Sequence, residues 1–169
     1  LGSSLYGAQL AAALGLPYAF AAHFAPDHLD DALAIYRRDF KPSERLDKPH
    51  VMVAMNVFAA ETEEEALFAQ SSAVLGFAKL RSGMPGPLPK PVERLEDHLD
   101  PSWIAAAQTR FTVSAIGSEE MVKRQLADLL DRYQPDEVIV NAQIWDHATR
   151  LKSVEIGAKV LRELGAEAA

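Results

Sequence analysis

The 169-residue sequence contains no cysteine. That absence excludes a disulfide framework, a thiolate nucleophile and a thiolate metal site. No run of eighteen or so apolar residues occurs, so no membrane span is expected. The N-terminus lacks a basic segment before its apolar stretch and does not read as a secretory signal. Positive charge is scarce, with 17 Lys and Arg against 24 Asp and Glu and a formal charge of −7. A nucleic-acid partner usually leaves a basic footprint, and none is expected here. His28, His50 and His98 show no metal-ligand spacing with one another or with acidic residues, so no metal is expected. A cytoplasmic location fits these absences.

What is present, 49% hydrophobic and 24% charged residues, suits a globular α/β protein with a sizeable core. The opening residues 1–23 read as the tail of a strand, a polar turn, a short helix and a second strand. Gly2-Ser3-Ser4 opens the helix with two hydroxyls and free backbone N–H groups, a combination suited to an anion. Gly15 is placed to stop that helix in a left-handed conformation. Leu16 to Ala22 is unbroken apolar sequence, as in a strand buried on both faces.

Further along, Pro26 opens a helix with Leu29, Ala32, Leu33 and Tyr36 on one face. Asp27, Asp30 and Asp31 load its N-terminal end, and Arg37 and Arg38 its C-terminal end, as the helix dipole favours. Val51 to Phe58 is the clearest strand, apolar except for Asn56. Thr62-Glu-Glu-Glu65 forms a capping box for a helix to about Leu80, with Leu67, Ser71, Val74 and Ala78 as its buried stripe. Residues Arg81 to Asp100 contain Pro85, Pro87, Pro89 and Pro91, which forbid regular structure and suggest a lid, a binding loop or a surface excursion. A short helix over Ser102–Gln108, an extended piece at Phe111–Ile116 and a helix capped by Gly117-Ser118 follow. A last strand spans Glu137–Ile144, and a final helix from Asp146 or His147 carries Leu151, Val154, Ala158 and Leu161 on one stripe, with Gly165 as its stop.

Strands that alternate with helices argue for parallel βαβ units. Such a chain is either doubly wound or part of a (β/α)₈ barrel. Four strand–helix units make half a barrel, and a half-barrel leaves two apolar strand edges to be paired.

Several stretches resemble the C-terminal half of the bacterial luciferase-like flavin monooxygenase superfamily. They are Leu1-Gly-Ser-Ser-Leu-Tyr-Gly-Ala-Gln with Gly15-Leu-Pro-Tyr-Ala-Phe, Pro49-His-Val-Met-Val-Ala-Met-Asn-Val, Gly117-Ser-Glu-Glu-Met and Asp136-Glu-Val-Ile-Val-Asn-Ala-Gln-Ile-Trp-Asp-His147. Their order and spacing, more than any one motif, carry the resemblance. It implies the C-terminal half of a TIM (β/α)₈ barrel over residues 1–169, with a proline-rich excursion near 81–100. It further implies a flavin-dependent monooxygenase that uses reduced FMN, supplied by a flavin reductase, and O₂ on a small organic substrate. A missing N-terminal half and a homo-oligomer are implied partners. The nearest enzymatic alternative is a deazaflavin-dependent oxidoreductase of the same superfamily. A different class is also open, a non-catalytic half-barrel that pairs with a partner chain.

By the resemblance, the FMN phosphate is held after the first, partial strand. Ser4 would give its hydroxyl and N–H, Ser3 stands beside it, and Tyr6 and Gly7 lie where the helix offers further donors. No Lys or Arg is near, so the balancing charge would come from elsewhere. Without the resemblance, Ser3 and Ser4 read as a plain N-cap. His23 follows the second strand and would sit at the barrel mouth, or else is an ordinary loop histidine. Asn56 reads as a satisfied core amide, Asp146-His147 as a helix cap, and Trp103 and Trp145 as packing residues. The resemblance places the family's catalytic side chains mainly in the absent half, and none is assigned.

Overall fold

The computed structural model describes residues 1–165. Its elements run α1 (Leu5–Leu14), β1 (Tyr18–Phe20), α2 (Leu29–Asp39), β2 (Val51–Ala60), α3 (Glu63–Arg81), α4 (Pro101–Arg110), β3 (Ser114–Ser118), α5 (Glu119–Tyr133), β4 (Glu137–Asn141) and α6 (His147–Glu163). All strand pairings are parallel, as expected for βαβ units.

β2 is the central strand because every other strand pairs with it. β1 pairs with Val51–Val53, β4 with Met52–Asn56 and β3 with Asn56–Ala60. Backbone groups on a strand alternate between its two edges. His23 N donates to Ala54 O and Asn56 N to Val113 O, whereas Asp136 N donates to Val51 O. Even-numbered residues therefore face β1 and then β3, and odd-numbered ones face β4. Beyond the end of β4, the odd edge meets a side chain instead. Ser153 Oγ of α6 accepts from Ala59 N at 2.9 Å and donates to Val57 O at 3.1 Å, inside the core.

The partial first strand is real but minimal. Gly2 bridges to Phe20 in parallel, with Gly2 N donating to Ala19 O and Ala21 N to Gly2 O. β1 is shorter than the apolar run Leu16–Ala22 predicts. Pro17 has no N–H to pair, and the chain already turns at Ala22, whose N–H bonds Phe20 O. β3 sits two to three residues later than expected, because Phe111 still belongs to the end of α4 through its N–H to Ala107 O.

The core lies between the sheet and α1, α2, α5 and α6, with Phe20, Tyr36, Met55, Leu126 and Val160 buried in it. A second cluster joins Phe58 to α3 and α4 through Ala73, Ala107 and Phe111. α3 buries Ala66, Ala69, Ser71, Val74 and Ala78, but Leu67 of the expected stripe is exposed. α6 differs in the same way. Leu151 and Val154 are 49% and 42% exposed, and the buried face is Ser153, Gly157, Val160 and Leu161. Both helices lie so close to the sheet that small residues are required. A Cβ at Gly157 would stand 3.3 Å from Val57 Cγ1.

The connection from α3 to α4 is anchored and holds one 3-10 turn at Leu95–Asp97. Val92 N donates to Ser71 Oγ at 2.8 Å, and Leu88 and Pro89 pack against the bare α-carbon of Gly76. Gly15 is left-handed as expected, with φ 62°, and an added Cβ would lie 2.6 Å from Lys41 O.

Candidate functional site

The N-terminal turn of α1 has unused donors. Ser4 is the N-cap by backbone geometry, yet its side chain caps nothing. Thr62, Ser118 and Asp146, by contrast, each accept from an amide of their own helix. The Ser4 hydroxyl and the first-turn N–H groups, among them those of Tyr6 and Gly7, therefore remain free for an anion. Ser4 is exposed, Ser3 is half-buried beside it, and Tyr6 is 71% exposed. Gly7 turns its α-carbon to the packing side, where an added Cβ would sit 3.6 Å from the Tyr18 ring. Its contribution to an anion is limited to its N–H. Tyr18 Oη fixes the turn from below by donating to Ser4 O at 3.3 Å.

A polar cluster gathers where β1 and β4 end on β2. Asn56 is fully buried and satisfied, as the sequence suggests. Its Nδ2 donates to His23 O at 3.2 Å and lies 3.3 Å from Ser114 Oγ, while its Oδ1 accepts from Asn141 Nδ2 at 3.0 Å. One amide thus ties three strand ends together. His23 is held at both backbone groups, since its N–H bonds Ala54 O at 2.8 Å. Its Nδ1 is buried and has no hydrogen-bond partner among the described residues. Burial, and then the charge of Arg110, depress its pKa below the usual histidine value. Sequence reasoning missed Arg110, Ser114 and Asn141. Arg110 looks like an ordinary cation ending a helix, and nothing in its neighbours signals that its Nη1 is buried.

The remaining candidates do not join this cluster. His50 Nε2 pairs with Glu137 Oε1 at 2.6 Å at the start of β2 and β4, the opposite end of the sheet. Asp146 caps α6 by accepting from Thr149 N, as expected, and His147 lies against Arg150. Trp103 is half-buried in α4. Trp145 is exposed under the Lys90 ammonium and helps to line a cavity of about 400 Å³ with Ala60, Phe68, Pro91, Ile144 and Lys152. Among the described residues, no three His, Asp or Glu side chains converge to hold a metal ion. Nor is any helix among them long and apolar enough to cross a membrane.

The model of the luciferase-like monooxygenase family matches residues 1–134, most of the chain. The chain belongs to that family. A luciferase-like monooxygenase of Escherichia coli K12 is 46% identical over 164 residues, covering 97% of this chain and 49% of that protein. The crystal structure of apo-MsnO8 superposes with a TM-score of 0.76 at 26% identity, over 95% of this chain and 50% of that one. A riboflavin lyase crystallised with modified FMN and riboflavin has the same fold, with a TM-score of 0.54 at 17% identity, over 99% of this chain and 43% of that one. The luciferase-like chain thus spans about half the length of the curated relatives it matches, consistent with half of a (β/α)₈ barrel. In barrel enzymes the chemistry lies at the carboxyl ends of the strands; here His23 follows β1, Asn141 ends β4, and both bond Asn56.

Proposed function

We propose that this chain is the C-terminal half of an FMN-dependent monooxygenase, which takes reduced FMN from a flavin reductase and acts with O₂ on a small organic substrate. Family membership supports the reaction class. The observation that carries the cofactor assignment is the uncapped N-terminus of α1, where Ser4 spends neither its hydroxyl nor its N–H on the helix. A phosphate dianion requires such donors, and the positive end of a helix stabilises it further. Ser4, Ser3 and the N–H groups of Tyr6 and Gly7 would hold the phosphate. Reduced flavin, when bound, supplies the electrons that activate O₂. The strand-end cluster would orient the substrate and exclude water there. An N-terminal half-barrel would complete the ring, and the assembled enzyme would be a homo-oligomer in the cytoplasm.

The test is an FMN titration of the full-length protein by flavin fluorescence quenching. Ser4→Ala is expected to weaken binding by roughly tenfold, the loss of one charge-assisted hydrogen bond, and Ser4→Asp to abolish it by like-charge repulsion. Unchanged affinity in both variants would remove Ser4 from the site. The absorbance and mass of the purified cofactor separate FMN from a deazaflavin.

A second reading, a non-catalytic half-barrel closed by a partner chain, is favoured by β4. Its Val138-Ile139-Val140 core is only partly covered, and Ile139 is 41% exposed. A flavin-free assembly that binds neither FMN nor a deazaflavin at saturation would establish that reading.

A further inference from the structure

Among the described residues, Arg110 is a cation held without a counter-ion. Its guanidinium carbon lies 5.6, 6.0 and 5.2 Å from the ring centroids of Phe24, Phe77 and Phe111. Its Nη1 is fully buried with no hydrogen-bond partner among the described residues. No carboxylate among those residues lies within 4.0 Å, and Asp27 acts on it only as a more distant charge. Ring faces attract the cation, but they accept no in-plane N–H bond. A buried charged donor left unpaired therefore remains costly. His23 directly precedes Phe24, whose ring lies against the guanidinium, and its buried Nδ1 is a second nitrogen with no partner among the described residues. His23 cannot relieve Arg110 in this arrangement, since no hydrogen bond joins them.

We propose that Arg110 and His23 together bind the anionic group of an organic acid, with Phe24 and Phe77 as the apolar wall for its body. An oxyanion between the two nitrogens takes a charge-assisted bond from Arg110 Nη1 and a second from His23 in its Nδ1–H tautomer. Phe24 is 56% exposed and Phe77 half-buried, so an organic body covers apolar surface that a bare inorganic anion leaves open. As a statement about the substrate, this rests on the monooxygenase reading. As a statement about binding, it is independent of flavin.

Calorimetric titration of the full-length, flavin-free protein tests it with benzoate, phenylacetate and octanoate, with the neutral benzyl alcohol and octanol, and with inorganic phosphate. At least one carboxylate is expected to saturate, and to bind tenfold or more tightly than its neutral counterpart and than inorganic phosphate. Arg110→Gln and His23→Leu should each weaken that carboxylate tenfold or more, whereas Arg110→Lys should retain part of the affinity. FMN titration of the same variants should be unaffected. If no carboxylate binds, or if Arg110→Gln and Arg110→Lys bind it as the parent does, the inference is overturned. Loss of FMN affinity in Arg110→Gln, with no carboxylate binding, would overturn it by assigning the cation to the flavin phosphate. Carboxylate binding without any flavin binding would leave this site standing and remove the monooxygenase reading.

Discussion

Single atoms decide how β2 stays intact past the end of β4. Ser153 Oγ satisfies one N–H and one C=O that would otherwise be buried and unpaired. Ser153→Ala should therefore destabilise the fold by about 2 kcal/mol, well above an ordinary Ser→Ala change, as urea denaturation would show. Tyr18 makes a second residue-scale prediction. Burial pushes its phenol up to about 12. The neutral form is thus favoured in the folded state, so its contribution is complete below pH 10 and is lost as pH rises from 10 through 12. Tyr36 and Tyr133 are raised by burial as well and add to the same alkaline loss. Comparing urea midpoints at pH 9 and pH 11.5, Tyr18→Phe should reduce the drop without removing it. His23 acts at the other end of the scale. Its depressed pKa means that stability is present above pH 6.5 and falls as acid protonates the buried ring. His23→Leu should flatten the curve between pH 7 and pH 5.

The elements were legible in the sequence where local chemistry decides them. Thr62 accepts from Glu65 N at 3.2 Å, as the capping box predicts, although Glu65 Oε2 reaches back to Glu61 N instead of the cap residue. Thr62→Ala should cost about 1 kcal/mol, the usual value of a helix cap, measured by thermal unfolding. The faces of α3 and α6 were not legible. Periodicity nominates large apolar residues, yet these helices lie close to the sheet, and Ala, Ser and Gly occupy the contact. Leu151 and Val154 are left outside on α6, and Tyr6, Leu10 and Leu14 form a similar exposed row on α1. Paired Leu151→Ser and Val154→Ser substitutions should shift the stability of this chain by less than ~1 kcal/mol, because little burial is lost.

At the scale of the whole molecule, these exposed rows lie on the first and last helices, and the half-covered β4 lies in the last strand–helix unit. An unpaired apolar edge favours association. Light scattering of the isolated chain is expected to show self-association, and Ile139→Lys on β4 should reduce it. A monodisperse monomer unaffected by Ile139→Lys would contradict that expectation. Sequence alone determined the element order, the parallel α/β class, the helix stops at Gly15 and Gly165, and the family, because caps, turns and hydrophobic period are written in neighbouring residues. Only the tertiary structure decided which helix faces are buried, that Asn56 joins three strand ends, and that Arg110 stands among Phe24, Phe77 and Phe111. Residues 23, 56, 114 and 141 are far apart in the chain, and the parallel crossovers that bring them together leave no local signal.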